Sequence, residues 1–369
     1  MTKTNQKDDH PTPELAAVGE PVRIGDDAPY CAFTDVAQTP SGELLVVYSA
    51  GENHLDAGLC IEMRRSADQG RTWSEPTVIV DPIHSGHGVR DPHLARLRDG
   101  RLVLSYFEYP VKGDPTWSSV RSWVRVSDDD GCTWSEPTAL AADRLPGAVT
   151  CNHAIELADG RLLISIFGGD IEDEDGEILG VVASRDRGAT WGDFVELHRE
   201  PARQGMECEL AEIADGQLVA LVRRTSKKLG LRLESADVGR TWSAPEAVPI
   251  GHAPGILVDG GIMLINHRTF PDGRARENTS GEARGNYAGK CTVVSLSLDA
   301  GRSFVAHLPL GQPVRNDFGG DTAYGGIVKL PNGDYFTTYY TTTVPGGTAV
   351  FGQRLALHVP HPNLFSTKR

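Results

Sequence analysis

An all-β fold, a six-bladed β-propeller of four-stranded antiparallel blades, is the architecture this sequence predicts. Two periodicities and one absence predict it. The first periodicity is a box, S-x-D-x-G-x-[TS]-[WF], which recurs as SADQGRTW, SDDDGCTW, SRDRGATW, SADVGRTW and SLDAGRSF. Its aspartates, Asp68, Asp129, Asp186, Asp237 and Asp299, stand 61, 57, 51 and 62 residues apart. The second is a set of six tight turns, each between two apolar β-prone runs: TPSGELLVVY, LRDGRLVLSYF, LADGRLLISIF, IADGQLVALV, LVDGGIMLI and LPNGDYFTTYY. Asp-Gly and Asn-Gly between alternating runs are strong hairpin signals. The absence is of any sustained 3.6-residue apolar period, so helices are expected to be scarce.

Repeats at this period read as the blades of a ring. A seven-bladed ring would need units nearer 50 residues, against a mean here of about 58. The expected layout is a tail over residues 1–20 and one propeller domain over 21–369. The sixth box is missing, so the last blade is expected to borrow a strand from the segment around Pro21 to Ile24. Within each box the aspartate should accept backbone hydrogen bonds, the glycine should take a positive φ, and the aromatic ring should pack between blades.

Composition narrows the function. The formal charge of −14 on 369 residues, without a basic stripe, excludes a nucleic-acid backbone as an expected partner. No segment approaches the roughly 20 apolar residues that span a bilayer, and the first residues lack the apolar core of a signal peptide. The expectation is a soluble, cytoplasmic protein without a membrane partner; oligomeric state stays open. Six scattered cysteines with no CxxC argue against a zinc site and against a disulfide framework. No cofactor is called for. His84, His87 and His93 match no metal-ligand spacing, and DIEDEDGE from Asp170 lacks a full calcium-loop spacing, so both are expected to be plain loops.

In each blade the first strand runs from one rim to the hairpin turn and the second returns. Residues seven to ten before a turn and about seven after it therefore meet at one mouth. This count brings Glu207 and Arg223 together. It adds Asp35, the Gly51–Asp56 loop with His54, Arg90, Asp91, His153, His252 with Arg268, and Tyr324 with Tyr340; Asp321 precedes Tyr324 by three residues and joins the binding set. The boxes fall on the opposite face. Such a mixture of Arg, Asp, Glu, His and Tyr is the composition of a polar ligand site.

The boxes, the blade count and the segment Met206 to Arg223 resemble the sialidase (neuraminidase) superfamily over nearly the whole chain. The resemblance implies a glycosidase acting on a glycan. Tyr324, in GGDTAYGGIVKL, matches the family's nucleophilic tyrosine, Glu207 its base partner, and Asp56 the position of its acid/base, with His54 as an alternative. Three arginines hold the substrate carboxylate in that family. The first, in an Arg-Ile-Pro motif, is absent here, where the strand begins APYCAFTDV. Arg90 enters from the next blade, Arg223 matches the second arginine, and Arg268 or Arg284 supplies the third. A neutral tyrosine suits a sugar that carries a carboxylate at the reacting carbon, since a carboxylate nucleophile would be repelled by about 4 kcal/mol at 4 Å and an effective dielectric near 20. Two other readings stay open: a propeller glycosidase that uses two carboxylates on a neutral or other sugar, as in arabinanase-like relatives, and a non-catalytic glycan-binding propeller.

Overall fold

Alternating, β-branched-rich runs bounded by glycine turns fold as the sequence dictates. The computed structural model describes residues 13–111, 119–224, 229–274, 289–314, 321–344 and 347–358, without the side chains at 174, 252–254 and 343. No α-helix occurs among them, and so none that is long and apolar enough to cross a membrane.

The chain opens with β1 (Glu14–Gly25), followed by β2 (Tyr30–Gln38), β3 (Leu44–Gly51), β4 (Cys60–Ser66) and β5 (Thr77–Val80). Next come β6 (His87–Arg96), β7 (Leu102–Pro110), β8 (Arg121–Ser127) and β9 (Thr138–Leu140), which form a separate sheet. The third group is β10 (Ile155–Glu156), β11 (Leu162–Asp170), β12 (Asp173–Ser184) and β13 (Gly192–Glu200). The fourth is β14 (Cys208–Ala214), β15 (Gln217–Val222), β16 (Gly230–Ser235) and β17 (Glu246–Val248). The fifth is β18 (His252–Asp259), β19 (Ile262–Thr269), β20 (Cys291–Ser297) and β21 (Ala306–Leu310). The last is β22 (Thr322–Ala323), β23 (Ile327–Lys329), β24 (Tyr335–Val344) and β25 (Gly347–His358).

The result is a propeller-like set of antiparallel sheets. Four of them are separate four-stranded sheets, where six were expected. The first and last groups differ: they share one nine-stranded sheet, because β2 and β25 meet in a parallel bridge between Tyr30 and Thr348. The N-terminal strand β1 pairs with β25 from Glu14 onward, so this pairing reaches seven residues beyond the expected boundary at 21.

Every hairpin glycine of the six turns takes a positive φ, from Gly42 at 90° to Gly333 at 91°. The boxes are built as expected. In the first, Gly70 N donates to Ser66 Oγ at 2.8 Å, Thr72 N and Thr72 Oγ1 donate to the two Asp68 oxygens at 2.9 and 2.7 Å, and the Trp73 ring lies 5.8 Å from Phe336. The DIEDEDGE segment departs from a plain solvated loop. Asp170 is buried and ion-paired with Arg144 and Arg199.

Candidate active site

Two β-bulges and one tight corner shape the mouth. In β2, Ala32 pairs with Ser49 and Asp35 with Val47, so Phe33 and Thr34 stand opposite the single residue Tyr48. In β6 the same slip sets Asp91 and Pro92 against Tyr106. Phe33 and Asp91 take φ of 52° and 50°, and Tyr324, between β22 and β23, takes 47°. A left-handed backbone is unfavourable for such residues and concentrates at functional sites. All three line one cavity of about 570 Å³.

The cavity has a charged side and an apolar side. Arg223, Glu207, Arg268, Asp321 and Tyr324 form the first; Phe33, Phe107, Val149 and Phe167 form the second. Tyr324 Oη donates to Glu207 Oε1 at 2.8 Å, and Arg223 Nη1 donates to the same oxygen at 2.6 Å. Burial first, then the Glu207 carboxylate, pushes the Tyr324 phenol well above its ordinary value, so it rests as the neutral phenol. The edge of the Tyr324 ring packs against Phe33, centroids 4.8 Å apart. Arg268 is ion-paired with Asp321 Oδ1, whose other oxygen accepts from Tyr340 Oη at 2.6 Å.

Arg90 stacks over Tyr109, 4.0 Å from the ring centroid, and donates to His54 Nε2 at 2.7 Å. A guanidinium only donates, so Nε2 is the acceptor, and His54 Nδ1–H donates to Tyr30 Oη at 2.8 Å. Burial and the Arg90 charge hold the imidazole down at about 4. Asp91 is buried; its Oδ2 accepts the Cys151 thiol at 3.1 Å while Oδ1 has no hydrogen-bond partner. Burial lifts this carboxyl to about 6, with Arg90 opposing and Glu207 adding to the rise.

Behind the charged side, Glu177 accepts the main-chain amides of Gln204 and Gly205 at 2.7 and 3.1 Å. This fixes the loop that delivers Glu207. Burial raises Glu177 to about 7.

The structure thus gathers Tyr324, Glu207, Arg223, Arg268, Arg90, Asp91, Asp321 and His54 in one cavity. Four expected residues lie elsewhere, the first being Tyr340, which is fully buried behind the lining residue Asp321. Asp56 folds into its own loop, where its oxygens accept Glu52 N at 2.8 Å and Gly58 N at 2.9 Å, and it does not line the cavity. Asp35 accepts Val36 N and Leu94 N, both at 2.8 Å, and ties β2 to β6. His153 sits 3.2 Å from the buried Glu209. Asp35 and His153 line a second cavity, of about 480 Å³. Arg284 and the His252 side chain fall outside the described residues.

Asp35 keeps a regular register with Val47, on the turn side of the bulge, and its carboxylate is taken up by main-chain amides of β2 and β6, which a count of residues from the turn cannot show. The same count reaches further than polar residues. Seven after Gly100 and Gly160 stand Phe107 and Phe167, the apolar wall, in positions equivalent to Arg223 and Arg268 after Gly216 and Gly261. Tyr30, Val149, Cys151 and Thr342 also line the cavity, with no distinct signal in the sequence.

The sequence profile of a family described as the BNR repeat-like domain matches residues 42–310. The chain belongs to that family. Its curated relatives include a sialidase of Micromonospora viridifaciens, 26% identical over 286 residues, covering 72% of this chain and 34% of the relative. A sialidase of Bacteroides fragilis is 23% identical over 334 residues, covering 77% and 56%. One from Paraclostridium sordellii is 25% identical over 237 residues, covering 58% and 54%. The chain therefore spans between a third and just over half of these relatives. Among solved structures, a Dyadobacter fermentans protein of unknown function superposes with a TM-score of 0.76 at 19% identity, over 93% of this chain and 99% of that one. The Hadza microbial sialidase Hz136 gives 0.69 at 20% identity, over 88% and 66%. These likenesses show a shared fold within a sialidase-like BNR superfamily.

Proposed function

We propose that the cavity is the active site of an exo-glycosidase that releases a terminal acidic, sialic-acid-like sugar from a glycan. The observation that carries this reading is the hydrogen bond from Tyr324 Oη to Glu207 Oε1, with Arg223 on the same oxygen. A phenol nucleophile needs a base at contact distance, and Glu207 is that base. Tyr324 Oη attacks the anomeric carbon, its proton passes to Glu207, and the bond to the leaving oxygen breaks. Water then attacks the same carbon, giving its proton to the carboxylate of the residue that protonated the leaving oxygen, and the departing Tyr324 oxygen takes its proton back from Glu207. Arg90, Arg223 and Arg268 are the carboxylate-binding set; Arg90, whose described hydrogen bond goes to a neutral imidazole, is the first to meet an incoming anion. The apolar wall receives the nonpolar face or an acyl substituent of the sugar.

The proton donor to the leaving oxygen is assigned to Asp91 rather than Asp56. Asp91 is in the cavity, has an oxygen without a partner, and keeps its proton to about pH 6. His54 is neutral at that pH and has no proton to spare, since its Nδ1–H is engaged by Tyr30. We also count the nine-stranded sheet as two blades, β2–β5 and β22 to β25 with β1, whose strand pairing to each other is the single Tyr30–Thr348 bridge, which makes six around the cavity.

Hydrolysis of a panel of aryl glycosides, including sialic and uronic acids, tests the reading. Activity on acidic members that Tyr324→Phe abolishes supports it. A Tyr324→Phe protein of full activity would instead favour two-carboxylate chemistry by Glu207 and Asp91, which share the cavity. Calorimetric binding without turnover would make the protein a glycan-binding module.

A further inference from the structure

On β7, side chains alternate between two faces. Phe107 lines the cavity and the Tyr109 ring lies under Arg90; Glu108 between them points the other way and is fully buried. The loop before β6 and the first residue of β6 each bring a histidine onto it. His87 N donates to His84 O at 3.1 Å, a turn that sets the two imidazoles side by side with centroids 5.1 Å apart. His84 Nδ1 lies 2.9 Å from Glu108 Oε2, and His87 Nδ1 lies 3.9 Å from Glu108 Oε1. One ligand atom from each of the three residues lies within 4.8 Å of the others.

We propose that His84, His87 and Glu108 bind a divalent transition-metal ion of the zinc class, away from the cavity. Three features of the cluster support this beyond proximity. His87 Nδ1 is buried and has no hydrogen-bond partner, though it faces a carboxylate. No lysine or arginine ion pair reaches the buried Glu108 among the described residues, so a bound cation would supply the opposing charge that a buried carboxylate calls for. The carboxylate is also held in place from behind, by His84 N on Oε1 at 2.7 Å and Trp123 Nε1 on Oε2 at 3.2 Å, as outer partners hold metal ligands. Ligand atoms around a tetrahedral zinc stand ~3.3 Å apart, given bonds near 2 Å. The contacts of 2.9 and 3.9 Å, made to the two different oxygens of Glu108, fall near that spacing. His84 is half-exposed, which leaves a fourth position open to water.

The ion would clamp the loop to β7. Val111 N on Gly86 O at 3.1 Å already ties the same two segments. β6 begins at His87 and carries Arg90 and Asp91, so the clamp would steady the strand that supplies two cavity residues.

The test is metal titration of tag-free, chelator-treated protein with zinc chloride by calorimetry and thermal melting, and with cobalt chloride by visible absorption. Expected are one equivalent of zinc bound at micromolar concentration, a raised melting temperature and a cobalt band of four-coordinate type. His84→Ala, in the loop, and His87→Ala, at the first residue of β6, each weaken binding by about tenfold or more, whereas His54→Ala leaves it unchanged. Absence of zinc binding by the wild type, or equal binding by a His84→Ala/His87→Ala double variant, overturns the proposal.

Discussion

Tyr324 and Glu207 lie 117 residues apart in the chain, yet the phenol of one donates to the carboxylate of the other at 2.8 Å. The acceptor oxygen also takes a hydrogen bond from Arg223 at 2.6 Å, so a guanidinium and a phenol share one carboxylate oxygen, and in the proposed mechanism the phenol proton is the one transferred.

Tyr324→Phe is expected to lower kcat on an acidic aryl glycoside by three orders of magnitude or more, a loss of about 4 kcal/mol of transition-state stabilisation. Glu207→Gln, which keeps the shape but cannot take the proton, is expected to cost about 10²–10⁴-fold. Both melting temperatures should stay near the wild type, and steady-state kinetics beside thermal melts decides the matter.

Removing the Arg90 guanidinium should act on binding. Arg90→Ala is expected to raise KM for an acidic substrate by about tenfold or more while leaving a neutral analogue unchanged, because one charge-assisted hydrogen bond contributes roughly 1.5–3 kcal/mol. Equal effects on both substrates would mean that Arg90 only packs against Tyr109.

A group that must give up a proton works only while it holds one. With the Asp91 carboxyl at about 6, kcat/KM should fall as pH rises through 6. Asp91→Asn should remove that limb and harm substrates with poor leaving groups far more than nitrophenyl glycosides, whereas Asp56→Asn should keep the limb. A limb that persists in Asp91→Asn assigns the proton to another group.

Asp91 and Glu177 also link stability to pH. Both folded values are raised, from 3.8 to about 6 and from 4.5 to about 7. The folded state therefore holds protons that the unfolded chain has already lost, and the stabilisation present below about pH 4 disappears as pH rises through 6 and 7. Each group contributes on the order of 3 kcal/mol over that window. Chemical denaturation between pH 5 and 8 should show the decline, and Glu177→Gln should flatten part of it.

Gly70 tests the interlock between the first box and β24. An added Cβ would stand 2.3 Å from the Phe336 ring, at a φ of +84°. Gly70→Ala is expected to destabilise by about 2 kcal/mol or more, measured by urea unfolding. Gly160→Ala, also at positive φ but with nothing within 4 Å, isolates the backbone share.

The β content, the hairpins and the boxes were legible because each rests on short-range chemistry: glycine φ, Ser-Asp hydrogen bonds and period-two burial. Glu207, Arg223, Arg268 and Tyr324 were legible too, since distance from a turn fixes the rim on which a residue emerges. Asp35, His153 and Asp56 were misplaced for local reasons that leave no trace in periodicity. The Asp35 carboxylate binds main-chain amides of β2 and β6, His153 precedes the short strand β10, and Asp56 caps its own loop. Phe107 and Phe167 obey the same count as the arginines and were passed over only because their side chains are apolar.

Tyr30 helps position His54 inside the cavity, and the same residue makes the parallel bridge to Thr348. A nascent polypeptide therefore cannot complete this wall until translation has passed β25 and the two ends of the domain have met. Assembly of the cavity and topological closure become one late event, and a prematurely terminated product that lacks the final strand would have an incomplete cavity as well as an open edge.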